Sequence, residues 1–285
     1  MKICISAETT IDLPKSMLSE LDIHTIPFTL ILGDEVGKDG EITPDSLYAY
    51  VEKSGKLPHT SAINQAEYEE YFASLLKDYD HVIHFALSSC ISSSCEHAVL
   101  SSKKFMGKVD VIDTHSLSTG IAVQAMYAKR LADKGIEPAE IVKRCEERKE
   151  DCQASFSLES VNYLYKGGRC SALAMLGANL LKIKPEIYVK HGSMGPGKKY
   201  RGPMMKVVQN YVEDTLSEFN NPDLEVGFVT YSTAPQAVVD WCVKRMKEVG
   251  FRHVYATVAG ATISCHCGPH CLGILYYNDG EHPAE

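Results

Sequence analysis

Short β-branched apolar runs alternate with helical segments through the first half of the chain. Ile3-Cys4-Ile5, Ile23 to Leu32, His81 to Leu87 and Val109 to Asp113 read as strands. Asp12-Leu13-Pro14 opens a helix with Asp12 as N-cap, and Thr43-Pro44-Asp45 opens another. A Ser-rich turn leads from His81–Leu87 into a helix that runs through Lys104, and a further helix spans about Leu117 to Lys134. Connections long enough to hold a helix bring the next strand back in the same direction, so these strands predict a parallel sheet flanked by helices.

The character changes after the helix that starts at Pro138. Ser155 to Leu158 reads as the first strand of a second unit, followed by a Gly167-Gly168 turn and an apolar helix from Ala172 to Leu181. Glu186 to Lys190, Val226 to Tyr231 and His253 to Val258 read as strands, with helices at Met204 to Phe219 and Gln236 to Lys247. Gly192 to Gly197 reads as a loop within a surface stretch reaching Gly202. The expectation is an N-terminal parallel α/β domain over 1–153 and a second α/β domain over 154–285. The final strand is left open to return to the first domain.

Composition narrows the function classes. A net charge of −8 argues against a nucleic-acid binder. Apolar runs such as Ile26 to Leu32 are too short to span a bilayer, so no stable membrane insertion is expected. Ten cysteines without a signal-peptide pattern read as reduced thiols in a cytoplasmic chain.

Chemistry concentrates in a few places. Thr60-Ser61, Ser88 to Ser94 and Asp113-Thr114-His115-Ser116 are hydroxyl-rich segments beside strand ends and helix starts, where ligands of open parallel sheets bind. Hydroxyls and unpaired helix N–H groups there suit a carboxylate or a phosphate. Arg169, after Gly167-Gly168, is a planar donor for the same anions. No Walker-type, dinucleotide-binding or Gly-x-Ser-x-Gly pattern is present. Cys265-His266-Cys267-Gly268-Pro269-His270-Cys271 invites a metal or redox reading, although metal sites usually draw on ligand pairs separated by a loop. An enzyme using Ser92 as nucleophile and His266 as base is a further alternative, with no orienting acid to support it.

The order of blocks carries more than any one of them. Thr9-Thr10-Ile11-Asp12-Leu13-Pro14, Thr60-Ser61, Leu87-Ser88-Ser89 with Ile91-Ser92, and Asp113-Thr114 with Ser118-Thr119-Gly120 come first. Tyr163 to Ser171, Leu181 to Pro185 and Ser264 to Gly273 complete the set. In this order the chain resembles the DegV family of bacterial fatty-acid-binding proteins. The resemblance implies a two-domain α/β protein with one long-chain fatty acid, such as palmitate, in the cleft between domains. Its carboxylate would be held in the cleft and its tail in an apolar tunnel. It also implies a lipid carrier, without a cofactor, that presents the fatty acid to a separate fatty acid kinase for phosphorylation of the carboxylate.

Carried over by position, Thr60 or Ser61 and Ser92 would donate to the head group, helped by the backbone at Ser93. Arg169 would lie near the head group or the kinase-docking face, and His266 beside the carboxylate, where either would offset developing charge. Three segments depart from the family pattern. Ser93-Ser94 replaces Gly-Thr, Ser61-Ala62-Ile63-Asn64 replaces Ser-Gln-Pro-Ser, and His270 replaces the last glycine of Gly-Pro-Gly. A side chain at Ser93 is expected to crowd close backbone approach to the carboxylate. The three cysteines of the cluster and His270 are this chain's own additions, read as packing residues.

Overall fold

The computed structural model describes residues 1–173 and 183–282. From residue 174 onward the helix expected from Ala172 to Leu181 lies outside them, as does Lys182. The chain opens with β1 (Ile3–Glu8), a 3-10 turn at Thr9–Ile11, α1 (Lys15–Glu20) and β2 (Ile23–Ile26). It then leaves the sheet for β3 (Thr29–Leu32), β4 (Glu35–Lys38), α2 (Pro44–Ser54) and β5 (His59–Ser61). The helix α3 (Gln65–Leu75) brings it back to β6 (His81–Ala86), α4 (Ser94–Ser102) and β7 (Val109–Asp113). β1, β2, β6 and β7 form a parallel sheet in the order β2-β1-β6-β7. The mixed α/β architecture expected from the alternation is what the chain adopts.

Two local expectations are corrected here. The run Ile23 to Leu32 is two strands in different sheets, because Pro27 has no N–H to continue a ladder. The second piece, β3, pairs antiparallel with β4 and β5 in a small three-stranded sheet. Asp12 is not a helix N-cap either. It ends the 3-10 turn with a left-handed φ of 55°, and the residue before α1 is Pro14. The Asp12 carboxylate is spent elsewhere, on Ser118 and Gly260.

The second sheet has six strands. α5 (Thr119–Asp133) and α6 (Pro138–Arg148) lead into β8 (Cys152–Ser157), then α7 (Asn162–Lys166), β9 (Lys184–Lys190) and β10 (Ser193–Tyr200). α8 (Met204–Glu218), β11 (Val226–Tyr231), α9 (Gln236–Val249), β12 (His253–Val258), α10 (Ala261–Cys267) and β13 (Leu272–Tyr277) follow. The order is β10-β9-β8-β13-β11-β12, antiparallel except for β11 with β12. The segment expected as a loop from Gly192 to Gly197 is instead mostly strand β10. It is an edge strand, where a proline such as Pro196 is tolerated, and its register shifts between Pro196 and Lys199. The final strand does not return to the first sheet. Its six residues are all buried, and it pairs with β8 on one side and β11 on the other.

α5 joins the two sheets. Ten of its fifteen residues are buried. One continuous core runs from Ile5 and Ile83 of the parallel sheet through Ile121 and Ala125 of α5 to Phe156, Phe228 and Leu275 of the second. Arg148, at the end of α6, lies between the rings of Tyr127 and Tyr277 and pairs with Asp223 at 3.0 Å and Asp279 at 2.7 Å. A buried guanidinium needs such partners to offset its lost hydration.

Candidate functional site

A cavity of about 840 Å³, its mouth included, lies where loops of the parallel sheet meet the second sheet and α10. Its walls are mostly apolar, with Leu87 and Ile91 from the loop after β6 and Phe156 and Leu275 from the second sheet. Met194 of β10 and Ile263 of α10 add to them. The hairpin turn between β9 and β10 is clamped to the first half beside this cavity. Ser88 donates to the Gly192 carbonyl at 2.8 Å, and Glu150 takes both His115 and His191 as partners.

The polar lining includes Thr60, Ser92, Arg169 and His266. The His266 Nε2 is 2.9 Å from the Thr60 hydroxyl, so β5 and α10 meet at a hydroxyl–imidazole pair. Burial first, then the Arg169 cation and His59, push the imidazole down to about 4, which leaves it neutral at pH 7. Its Nδ1 is buried and has no hydrogen-bond partner among the described residues. A Cβ at Gly167 would lie 2.8 Å from that Nδ1, so the Gly167-Gly168-Arg169 turn packs directly on the ring. Arg169 donates to the Gly167 carbonyl at 2.7 Å and has no carboxylate partner among the described residues.

The other predicted residues separate. Ser92 lines the cavity, and its hydroxyl accepts from the Ser94 N–H at 3.2 Å. Ser61 and Ser93 are exposed and stand outside the lining. Ser93 has an ordinary right-handed conformation, φ −71°, so its backbone does not demand glycine. Lining residues such as Phe28 and Ser232 carried no site signal in the sequence, and Ser118 was part of a family block without being singled out. Leu87 had one, since it follows β6 at its carboxyl end.

His266 sits in the last turn of helix α10. Its neighbours diverge accordingly. Cys265 packs with Leu30, Leu32 and Leu47 of the small sheet and α2, where burial pushes its thiol up to about 12. Cys267 and Cys271 belong to the large core, while His270 is exposed and faces Thr233 and Glu159. Among the described residues no three His, Cys, Asp or Glu side chains converge as a metal site requires. The serine-enzyme alternative lacks its geometry too, since the His266 Nε2 pairs with Thr60 and no acid among the described residues orients Nδ1.

The family model described as "Uncharacterised protein, DegV family" matches residues 2–279. The chain belongs to the DegV family. It is 31% identical over 279 residues to a fatty acid-binding protein of Thermotoga maritima, covering 96% of each. The crystal structure of DegV, a fatty acid binding protein from Bacillus subtilis, superposes with a TM-score of 0.85 at 27% identity, over 97% of this chain and 99% of that one. A DegV family protein from Thermus thermophilus gives 0.89 at 24% identity over 97% and 99%, a likeness of fold alone. The two-domain α/β fold is therefore common to this chain and these proteins. Among the described residues no helix is long and apolar enough to cross a membrane.

Proposed function

We propose that this chain is a carrier for a long-chain fatty acid such as palmitate, acting in the cytoplasm. One observation carries the reading. The pair Thr60–His266 and the Arg169 cation, which has no carboxylate partner among the described residues, border a cavity whose other walls are largely apolar. The relatives named as fatty-acid-binding proteins support the same ligand class. Each buried methylene contributes about 0.8 kcal/mol, so the tail supplies most of the affinity. The carboxylate must then find donors, because an unpaired buried charge is very costly. Thr60 and Ser92 offer hydroxyls, and Arg169 offers charge.

The carrier does no chemistry on its cargo in this reading. It presents the carboxylate to a separate fatty acid kinase, which forms the acyl phosphate. His266 is neutral at pH 7, so Arg169 rather than His266 offsets charge developing on the transferred group. The imidazole serves as a hydrogen-bonding wall.

Native mass spectrometry of the purified chain, with lipid identification after denaturation, tests the ligand. A protein that carries no lipid and retains no added palmitate would sink the proposal. Incubation of the loaded protein with a fatty acid kinase and ATP, with hydroxylamine trapping of the acyl phosphate, tests presentation. Hydroxamate no greater than with kinase and free fatty acid would remove that step.

A further inference from the structure

Two of the cluster's cysteines are not ordinary packing residues. Cys267 ends α10, Cys271 stands directly before β13, and both line the cavity. The turn between them is folded back on itself. Gly268 has φ 71° and His270 φ 58°, so the chain twice adopts the left-handed region within four residues. Ser232 fastens it by donating to the Gly268 carbonyl at 2.7 Å while accepting from the Cys271 N–H at 3.1 Å. The Cys267 thiol points at the same Gly268 carbonyl, 3.4 Å away. The neighbouring Cys267 thiol and burial together hold the Cys271 thiol well above the usual thiol range. Both are free, as are the other eight cysteines.

We infer that Cys267 and Cys271 form a dithiol site, reached through the cavity, that closes to a disulfide on reaction with a hydroperoxide. The Cys267 sulfur attacks one peroxide oxygen and the O–O bond breaks, giving a sulfenic acid and an alcohol or water. The Cys271 sulfur then displaces the sulfenic oxygen, which leaves as water, and the S–S bond forms. Two electrons pass from the thiols to the peroxide, and both thiol protons end in the oxygen products. Cys267 is the attacking sulfur because Cys271 is held in its protonated form. A disulfide here fastens the helix that carries His266 to the start of β13.

The inference rests on the fatty-acid reading in one respect: an acyl tail in the cavity covers both sulfurs. The test uses the full-length chain with Cys90→Ser, which removes the one exposed thiol. Hydrogen peroxide should remove two free thiols per chain in a denaturing titration, reversibly with dithiothreitol, and peptide mapping should show Cys267 linked to Cys271. The linkage should vanish in Cys90→Ser/Cys271→Ser and persist in Cys90→Ser/Cys265→Ser. Palmitate at about ten times its Kd should slow the thiol loss about tenfold, since only the free fraction reacts. Absence of the linked peptide in Cys90→Ser overturns the site. Equal rates with and without palmitate, in protein shown to hold it, overturn access through the cavity. The linked peptide needs no lipid, so its failure is distinct from a failure of the chain to bind fatty acid.

Discussion

The Asp12 carboxylate accepts a hydrogen bond from the Gly260 N–H at 2.7 Å across 248 positions of sequence. Its other oxygen accepts from Ser118 at 2.5 Å. Asp39 takes the N–H groups of Ala261 and Thr262 at 3.1 and 3.3 Å. Two carboxylates from the first half thus cap α10, whose preceding residue is a glycine with no side chain to do so. Acceptors for the otherwise unpaired N–H groups of a helix N-terminus are favourable, and here they fix the helix that holds His266.

Asp12 should make stability fall as pH rises from acid to neutral. Burial, only partly opposed by its hydrogen bonds to Ser118 and Gly260, raises its carboxyl to about 8. A carboxyl raised in the folded state contributes stability at low pH that is lost as pH rises through its folded value. Urea unfolding should therefore show wild type losing stability between about pH 4 and pH 8 relative to Asp12→Asn, with the difference levelling off above pH 8. Asp12→Ala should cost about 1–3 kcal/mol throughout, because the Gly260 N–H and Ser118 lose their acceptor. An Asp12→Asn profile that tracks wild type would contradict this.

His266 makes the opposite slope in acid. Its imidazole falls from the ordinary 6.5 to about 4 in the folded chain, so between those values the unfolded state binds more protons. The His266 contribution to stability then rises with pH across that window, by up to about 3 kcal/mol for a shift of this size, against the fall that Asp12 contributes there. His266→Ala should remove that slope in denaturant titrations. Fatty-acid affinity of the wild type should show no step near pH 6.5, and a step there would mean that the ring titrates normally.

Gly167 and Gly168 should respond differently to the same substitution. A methyl at Gly167 would sit 2.8 Å from the His266 Nδ1 and 2.9 Å from the Tyr163 carbonyl, displacing the ring. Overpacking of this kind costs about 1–3 kcal/mol, and palmitate affinity should fall with it. Gly168 has φ 71° with open space around it, so Gly168→Ala should cost about 1–2 kcal/mol of backbone strain and leave affinity unchanged. Isothermal titration of both variants separates the two cases.

Hydroxyl removal should divide the four predicted residues into two pairs. Thr60→Ala and Ser92→Ala should each weaken palmitate binding by roughly tenfold, the effect of one lost hydrogen bond to a charged group. Ser61→Ala and Ser93→Ala, both on exposed side chains, should bind as wild type. Equal losses at all four would place the head group outside the cavity.

The strands that the sequence declares openly are those with sustained β-branched runs. Val109–Asp113, Val226–Tyr231 and His253–Val258 match the expected limits residue for residue. The small sheet of β3, β4 and β5 was hidden because its strands have only three or four residues each, too few for a two-residue period to stand out. β10 was hidden by composition, since Gly195, Pro196 and Gly197 signal a turn and only the edge position tolerates them. For the site, His266, Thr60 and Ser92 were legible through the order of blocks along the chain. The Asp12 and Asp39 caps on α10 were not. Contacts across 248 and 222 positions leave no local pattern to read.

Helix α5 has a consequence for how the cavity fills. With ten of its fifteen residues buried and contacts to both sheets, it acts as a shared keel rather than a linker. The halves cannot swing apart about it without baring a core continuous from Ile5 to Leu275. A ligand that fills the cavity would therefore enter past small movements at the rim, and heat should melt both halves in a single transition.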